Sequence, residues 1–172
     1  MPSKIIIGVM GPGENATSEN CVMAYQLGKL IAREGWVTLS GGRNVGVMDA
    51  VSRGAQEAGG LTVGILPGDH HQHTSNYIDL PVLTGMGSAR NNINILTANI
   101  VVSCGIGPGT LSEIALAIKA KKDVIFFGLS RKTAEILYEL SEEGTCHEVN
   151  SADEAIDKIK QLLKKGRVSS QE

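Results

Sequence analysis

The sequence predicts a doubly wound parallel α/β sheet of about seven strands in a single domain, and three observations carry that reading. Short runs rich in Ile and Val alternate along the chain with segments of helical periodicity, the pattern of repeated βαβ units. Aromatic residues are only 3% of the 172, so the core must be aliphatic, as in a parallel sheet buried on both faces. The 21 glycines gather where apolar runs end, at the junctions of strand and helix.

The first strand spans Lys4 to Met10 and opens onto Gly11-Pro12-Gly13-Glu14-Asn15-Ala16, ahead of a helix from about Ser18 to Glu34. This matches the dinucleotide fingerprint G-x-G-x-x-A, a fold that also wants an acid at the end of the second strand to hold ribose hydroxyls. The second strand, Trp36 to Ser40, ends instead in Ser40-Gly41-Gly42-Arg43, and Pro12 sits inside the first turn; both details count against NAD. Gly41 to Met48 forms another strand–glycine–helix junction, with its helix reaching about Ala58. Arg43, beside three glycines, either clamps a phosphate or carboxylate in bidentate fashion or is a solvated loop arginine. A third strand runs from Leu61 to Leu66 and stops at Pro67-Gly68.

Asp69-His70-His71-Gln72-His73 holds three of the four histidines. Their spacing in a loop does not make a chelating geometry, so no metal site is expected; the stretch reads as a mobile polar loop able to act as a lid. Asn76 to Thr84 contains a short strand broken by Pro81. Ser88 is the expected N-cap of the next helix, which puts Arg90 in the first turn, where a cation opposes the helix dipole. A local rule broken in this way points to function.

Ile100-Val101-Val102 then leads into Ser103-Cys104-Gly105-Ile106-Gly107-Pro108-Gly109-Thr110, with a helix from Leu111 to Lys122 whose core face is Leu111, Ile114, Ala115 and Ile118. Thr110 is the expected cap of that helix, and Glu113, about one turn in, would point back over the loop. A strand from Asp123 to Phe127, a helix from Ser130 to Ser141 and a short strand from Thr145 to Val149 follow. Ser151 to Glu154 reads as a capping box for a last helix ending at Gly166; the domain is therefore 1–166, with 167–172 a flexible tail.

Ligands on such sheets bind beyond the carboxyl ends of the strands, and an uncapped helix start attracts anions. Four glycine loops fall there: Gly11 to Gly13, Gly41 to Gly46, Gly85 to Gly87 and Gly105 to Gly109. Their convergence predicts an anion pocket for a small phosphorylated ligand. The expected pocket residues are Gly11, Gly13, Gly41, Gly42, Arg43, Asn44, Gly46, Ser88, Arg90, Gly105, Gly107, Gly109, Thr110 and Glu113.

Other classes are disfavoured. The net charge is −2, with no basic stripe, so nucleic acid is not an expected partner. Cys21, Cys104 and Cys146 form neither a disulfide framework nor a C-x-x-C pair, and Cys104 is expected to be a buried structural thiol. No signal peptide and no apolar run of spanning length is visible; the expectation is a soluble, cytoplasmic protein with no membrane partner.

Ser40-Gly41-Gly42-Arg43-Asn44-Val45-Gly46-Val47-Met48, Arg90 in an early helix turn and Gly107-Pro108-Gly109-Thr110-Leu111-Ser112-Glu113 together resemble the Lonely Guy (LOG) superfamily of Rossmann-like proteins, once labelled lysine decarboxylases. That resemblance covers nearly the whole chain. Its enzymes are nucleoside 5′-monophosphate phosphoribohydrolases, which release the base from substrates such as AMP. It implies that Arg90 and Glu113 would be the catalytic pair, with Glu113 binding ribose and stabilising an oxocarbenium-like transition state. Gly107, Gly109 and Thr110 would hold the phosphate. Where those enzymes begin their motif Pro-Gly-Gly, this chain has Gly105-Ile106-Gly107, and Met10 to Glu14 departs from their serine-rich first loop. Both departures look like the molybdenum cofactor carrier branch, whose members form homodimers and homotetramers and whose ligand is a pterin bearing a phosphate and a molybdate group. The resemblance thus implies cofactor binding, storage or carriage, with phosphoribohydrolase activity as the alternative and a nucleotide-sensing module as a third reading.

Overall fold

A computed structural model of the chain describes residues 4–169. It is one parallel sheet of seven strands with helices on both faces. The strands are β1 (Ile6–Met10), β2 (Val37–Ser40), β3 (Thr62–Leu66), β4 (Leu80–Leu83), β5 (Ile100–Cys104), β6 (Val124–Phe127) and β7 (Cys146–Glu148). The helices are α1 (Ser18–Arg33), α2 (Gly46–Glu57), α3 (Asn91–Thr97), α4 (Pro108–Lys119), α5 (Arg131–Leu140) and α6 (Ala152–Ser169). The strand order β4-β3-β2-β1-β5-β6-β7 reverses between β1 and β5, so the chain first builds outward one way from β1 and then the other way from β5. Loops leaving those two strands must part there, which opens a crevice.

Alternation along the strands assigns the two faces. Ile7, Val9, Ile100, Val102 and Ile125 meet α1, α2 and α6, whereas Met10, Val101, Val124 and Phe126 meet α3, α4 and α5. Cys104 is fully buried at the end of β5, and desolvation pushes its thiol up to about 12, so it is structural and unreactive. Helices α1 and α2 cross closely because each presents a glycine: a methyl on Gly28 would overlap the carbonyl oxygen of Val51, and one on Gly54 that of Tyr25.

The structure corrects several local expectations. Pro81 lies inside β4 rather than breaking it; β4 is an outer strand, where a missing N–H is tolerated. Ser88 does not cap α3, because residues Gly87–Arg90 form a 3-10 turn that runs directly into that helix. Helix α4 starts three residues early: Gly107 is its N-cap and Pro108 its first residue, so Thr110 lies within the first turn instead of capping it. Its buried face is Thr110, Glu113, Ile114 and Ala117, and Leu111 is exposed. Of the expected capping box on α6, Ser151 Oγ does accept from the Glu154 N–H, but the Glu154 carboxylate bonds the N–H of Asn150. That helix continues past Gly166 to Ser169, so residues 167–169 are helical; 170–172 lie outside the described residues.

The α1–α2 crossing generates a test of the fold. Gly54→Ala should lower the free energy of unfolding in urea by about 1–3 kcal/mol, since backbone must shift to admit the methyl. Gly59→Ala, with open space at its Cβ but a φ of +77°, should lose only the smaller cost of its left-handed backbone.

Candidate functional site

Above the parting of β1 and β5 lies a cavity of about 270 Å³. Gly11 and Gly13 from the loop after β1, Gly41 and Arg43 from the loop after β2, Arg90, and Gly107, Gly109, Thr110 and Glu113 of α4 all line it. Nine of the expected pocket residues are thus brought together. The other five do not line this cavity. Gly42 packs Cα to Cα on Gly64, and Gly46 fits under the carbonyls of Pro12 and Gly13, where a side chain would collide. Gly105 holds a φ of +81° against Asn20. Asn44 and Ser88 are exposed.

The glycines that line the cavity do two jobs. Gly41 makes room for a guanidinium, since a methyl there would come within 2.6 Å of Arg90 Nη1. Gly109 has nothing within 4 Å of its absent side chain, so it leaves backbone open to the cavity. No side chain caps α4, which leaves the N–H groups of Gly109 and Thr110 without intrahelical partners at the positive end of the helix. A helix start of this kind attracts anions.

Arg90 is buried at 8% exposure. Its Nη1 donates to the carbonyls of Gly41 (2.7 Å) and Ile65, and its Nε has no partner among the described residues. Burial lowers its pKa, an effect opposed by Glu113 and reinforced by Arg43. Glu113 accepts from Asn94 Nδ2 at 2.8 Å. Burial raises the Glu113 pKa, with the Asn94 hydrogen bond and the Arg90 charge pulling the other way. Among the described residues these two make no ion pair within 4.0 Å. At the mouth, Arg43 Nη2 pairs with Glu14 Oε1 at 3.0 Å.

Sequence reasoning missed Asn94, which orients the buried carboxyl, and Asn91, which lines the cavity and donates to Ser112 Oγ. The available signal was a run of asparagines, Asn91, Asn92 and Asn94, in a short helix. It also missed Glu14 as the partner of Arg43.

The histidine segment is anchored at its C-terminal end. The N–H of Asn44 donates to His73 O at 2.8 Å, and the N–H of Ser75 to Gly42 O at 2.9 Å. Arg43 and Thr74 form an antiparallel bridge. The segment is strapped to the Arg43 loop.

Comparison with known proteins agrees with this geometry. The model of the SLOG cluster4 family matches residues 4–156. The molybdenum cofactor binding protein of Rippkaea orientalis superposes with a TM-score of 0.91 at 50% identity, over 94% of this chain and 98% of that one. The molybdenum cofactor carrier protein of Chlamydomonas reinhardtii gives 0.89 at 47% identity, over 94% and 99%. A cytokinin riboside 5′-monophosphate phosphoribohydrolase of Mycobacterium marinum is 34% identical over 94 residues, which is 54% of this chain and half of that enzyme. No described helix is long and apolar enough to cross a membrane.

The raised pKa of Glu113 fixes a pH dependence. Its ordinary value is 4.5, and the folded protein holds its proton to higher pH. The native state therefore binds more protons than the unfolded chain above that value, and stability falls as pH rises through the window up to the folded pKa. Urea unfolding across this range should give a declining limb for the wild type. The limb should flatten in Glu113→Gln, which keeps the Asn94 bond without the charge.

Proposed function

The chain belongs to the SLOG cluster4 family, and from that premise and the shape of the pocket we propose that it binds and carries molybdenum cofactor without cleaving it. The observation that carries this reading is the state of Arg90 and Glu113. In a hydrolase, Glu113 must be an anion able to stabilise positive charge on the sugar. Here burial favours its neutral form, and Arg90 is engaged by two backbone carbonyls. A carboxyl whose burial disfavours its charged form, beside a guanidinium fastened to carbonyls, suits binding of an anion better than cleavage of a glycosidic bond. The ligand chemistry fits the residues: the terminal phosphate on the N–H groups of Gly109 and Thr110, and further negative charge toward Arg90.

Phosphoribohydrolase activity on a nucleoside monophosphate is the second reading. Arg90 and Glu113 border the same cavity, and the Mycobacterium marinum relative bears that activity in its name.

We further propose a homodimer or homotetramer, with a subunit contact through the exposed side chains of Leu96 (58%) on α3 and Leu111 (47%) on α4. Replacing Leu96 and Leu111 together by Glu should reduce the mass measured by light scattering to that of one chain with the circular dichroism unchanged. An unaltered mass would move the contact elsewhere.

Anaerobic incubation with molybdenum cofactor, followed by gel filtration, tests the function. The wild type should retain molybdenum and pterin in near-equal amounts to protein, and Glu113→Gln should retain them too. Gly109→Asp should fold, since its side chain meets open space and an acid suits a helix start, yet lose at least ten-fold in retention because a carboxylate enters the anion site. Release of adenine from AMP, abolished by Glu113→Gln, would replace the carrier by the enzyme.

A further inference from the structure

A second cavity, of about 280 Å³, adjoins the first and shares Arg43 with it. Either cavity alone sits below the range of about 300–1,000 Å³ usual for small-molecule sites, whereas the pair falls within it. Their linings differ in kind. The first is a cradle of glycine backbone over a helix N-terminus. The second is walled by Leu66 and Pro67, with His70, Gln72 and His73 around it. Arg43 stands between the two, its guanidinium half exposed and turned to Glu14.

The second cavity is a built feature. Its loop is strapped to the Arg43 segment by the Asn44–His73 and Ser75–Gly42 backbone bonds, and Ser75 Oγ donates to Asp49 Oδ1 at 2.7 Å, tying it to α2. On its other side, the N–H of Gly85 donates to Gly68 O and that of Gly87 to Pro67 O, which joins the wall to the turn carrying Arg90. The His70 ring lies over Gly68: a methyl there would meet it at 3.3 Å. His73 is held with φ at 63°, a conformation left-handed for a non-glycine residue and stable only where the surroundings impose it.

An apolar wall edged by an imidazole, an amide and a guanidinium suits a flat, nitrogen-rich ring. Imidazole and guanidinium stack on such rings, and the Gln72 amide can both donate to and accept from a ring edge. It does not suit a second phosphate, since no helix start faces it and its one cation is already opposite a carboxylate. We propose that this cavity is the heterocycle subsite of the ligand whose phosphate the glycine cavity takes, with Arg43 bridging the two ends. This rests on the reading of the first cavity as a phosphate site.

The test titrates wild type, His70→Ala and Gln72→Ala with four probes: a 6-substituted pterin without phosphate, adenosine, AMP and inorganic phosphate. Both side chains are exposed, so both variants should fold. The expected result is saturable ring binding by the wild type, weakened roughly 5- to 100-fold in His70→Ala, the range set by loss of one stacking partner. Inorganic phosphate should stay within two-fold. If adenosine rather than pterin follows this pattern, the subsite stands and the carrier reading falls. If ring binding is unchanged in both variants, or no ring compound saturates the wild type at millimolar concentration, the subsite is overturned; cofactor retention in the gel-filtration assay would then leave the carrier reading standing. Equal weakening of ring and phosphate would also overturn it, because the side chains would then be supporting the fold of the whole pocket.

Discussion

One buried guanidinium ties the ligand end of this sheet together. Arg90 enters from the turn before α3, donates to the carbonyl of Gly41 after β2 and to that of Ile65 on β3, and lies in the field of Glu113 on α4. Three separate segments of chain are thus fixed relative to one another by a single side chain. Removing such a cation would leave buried carbonyls without donors and shift every loop that meets there. The same contact dictates a glycine at position 41, since any side chain would occupy the space of the guanidinium.

The glycines around the pocket therefore divide by what their missing side chains permit. Gly11, Gly41 and Gly46 admit neighbouring groups of the protein: Val47, Arg90 and the carbonyls of the first loop. Gly107 and Gly109 admit nothing of the protein within 3.5 Å, and lie where backbone N–H groups are unpaired. The second group leaves open space over the cavity. A glycine-rich loop at a strand end is thus two different things, a packing device and a binding surface.

This division explains how far the sequence could be read. The alternation of strand and helix, the switch in strand order and the convergence of the loops after β1, β2 and β5 follow from periodicity and from the rule that parallel strands need crossovers. Those are local or topological properties. Contacts between distant segments are not: Arg90 with Gly41 and Ile65, Asn94 with Glu113, and Arg43 with Glu14. They depend on side-chain reach after folding, which no spacing encodes. Arg90 was legible as an anomaly, a cation at a helix start, but its reason was not: the cation serves the neighbouring strands and not its own helix. The histidine segment shows the same limit. Its polar composition reads as mobile, and backbone bonds from Asn44 to His73 and from Ser75 to Gly42, invisible in composition, anchor its C-terminal end.

The same Arg90 and Glu113 can serve two chemistries because what separates them is a proton and not a residue. A carboxylate exposed to water or to a cation ionises and can stabilise a sugar cation, whereas burial of Glu113 works against its ionisation, opposed by the Asn94 hydrogen bond and the Arg90 charge. A dianionic ligand sharpens the difference. Negative charge brought over α4 would raise the cost of ionising Glu113 further, so anion binding and carboxyl protonation would reinforce each other. A hydrolase would need the opposite coupling, with a substrate that leaves the carboxylate charged at the moment the glycosidic bond opens. On the proposed reading, the burial of one carboxyl group would favour holding a ligand intact.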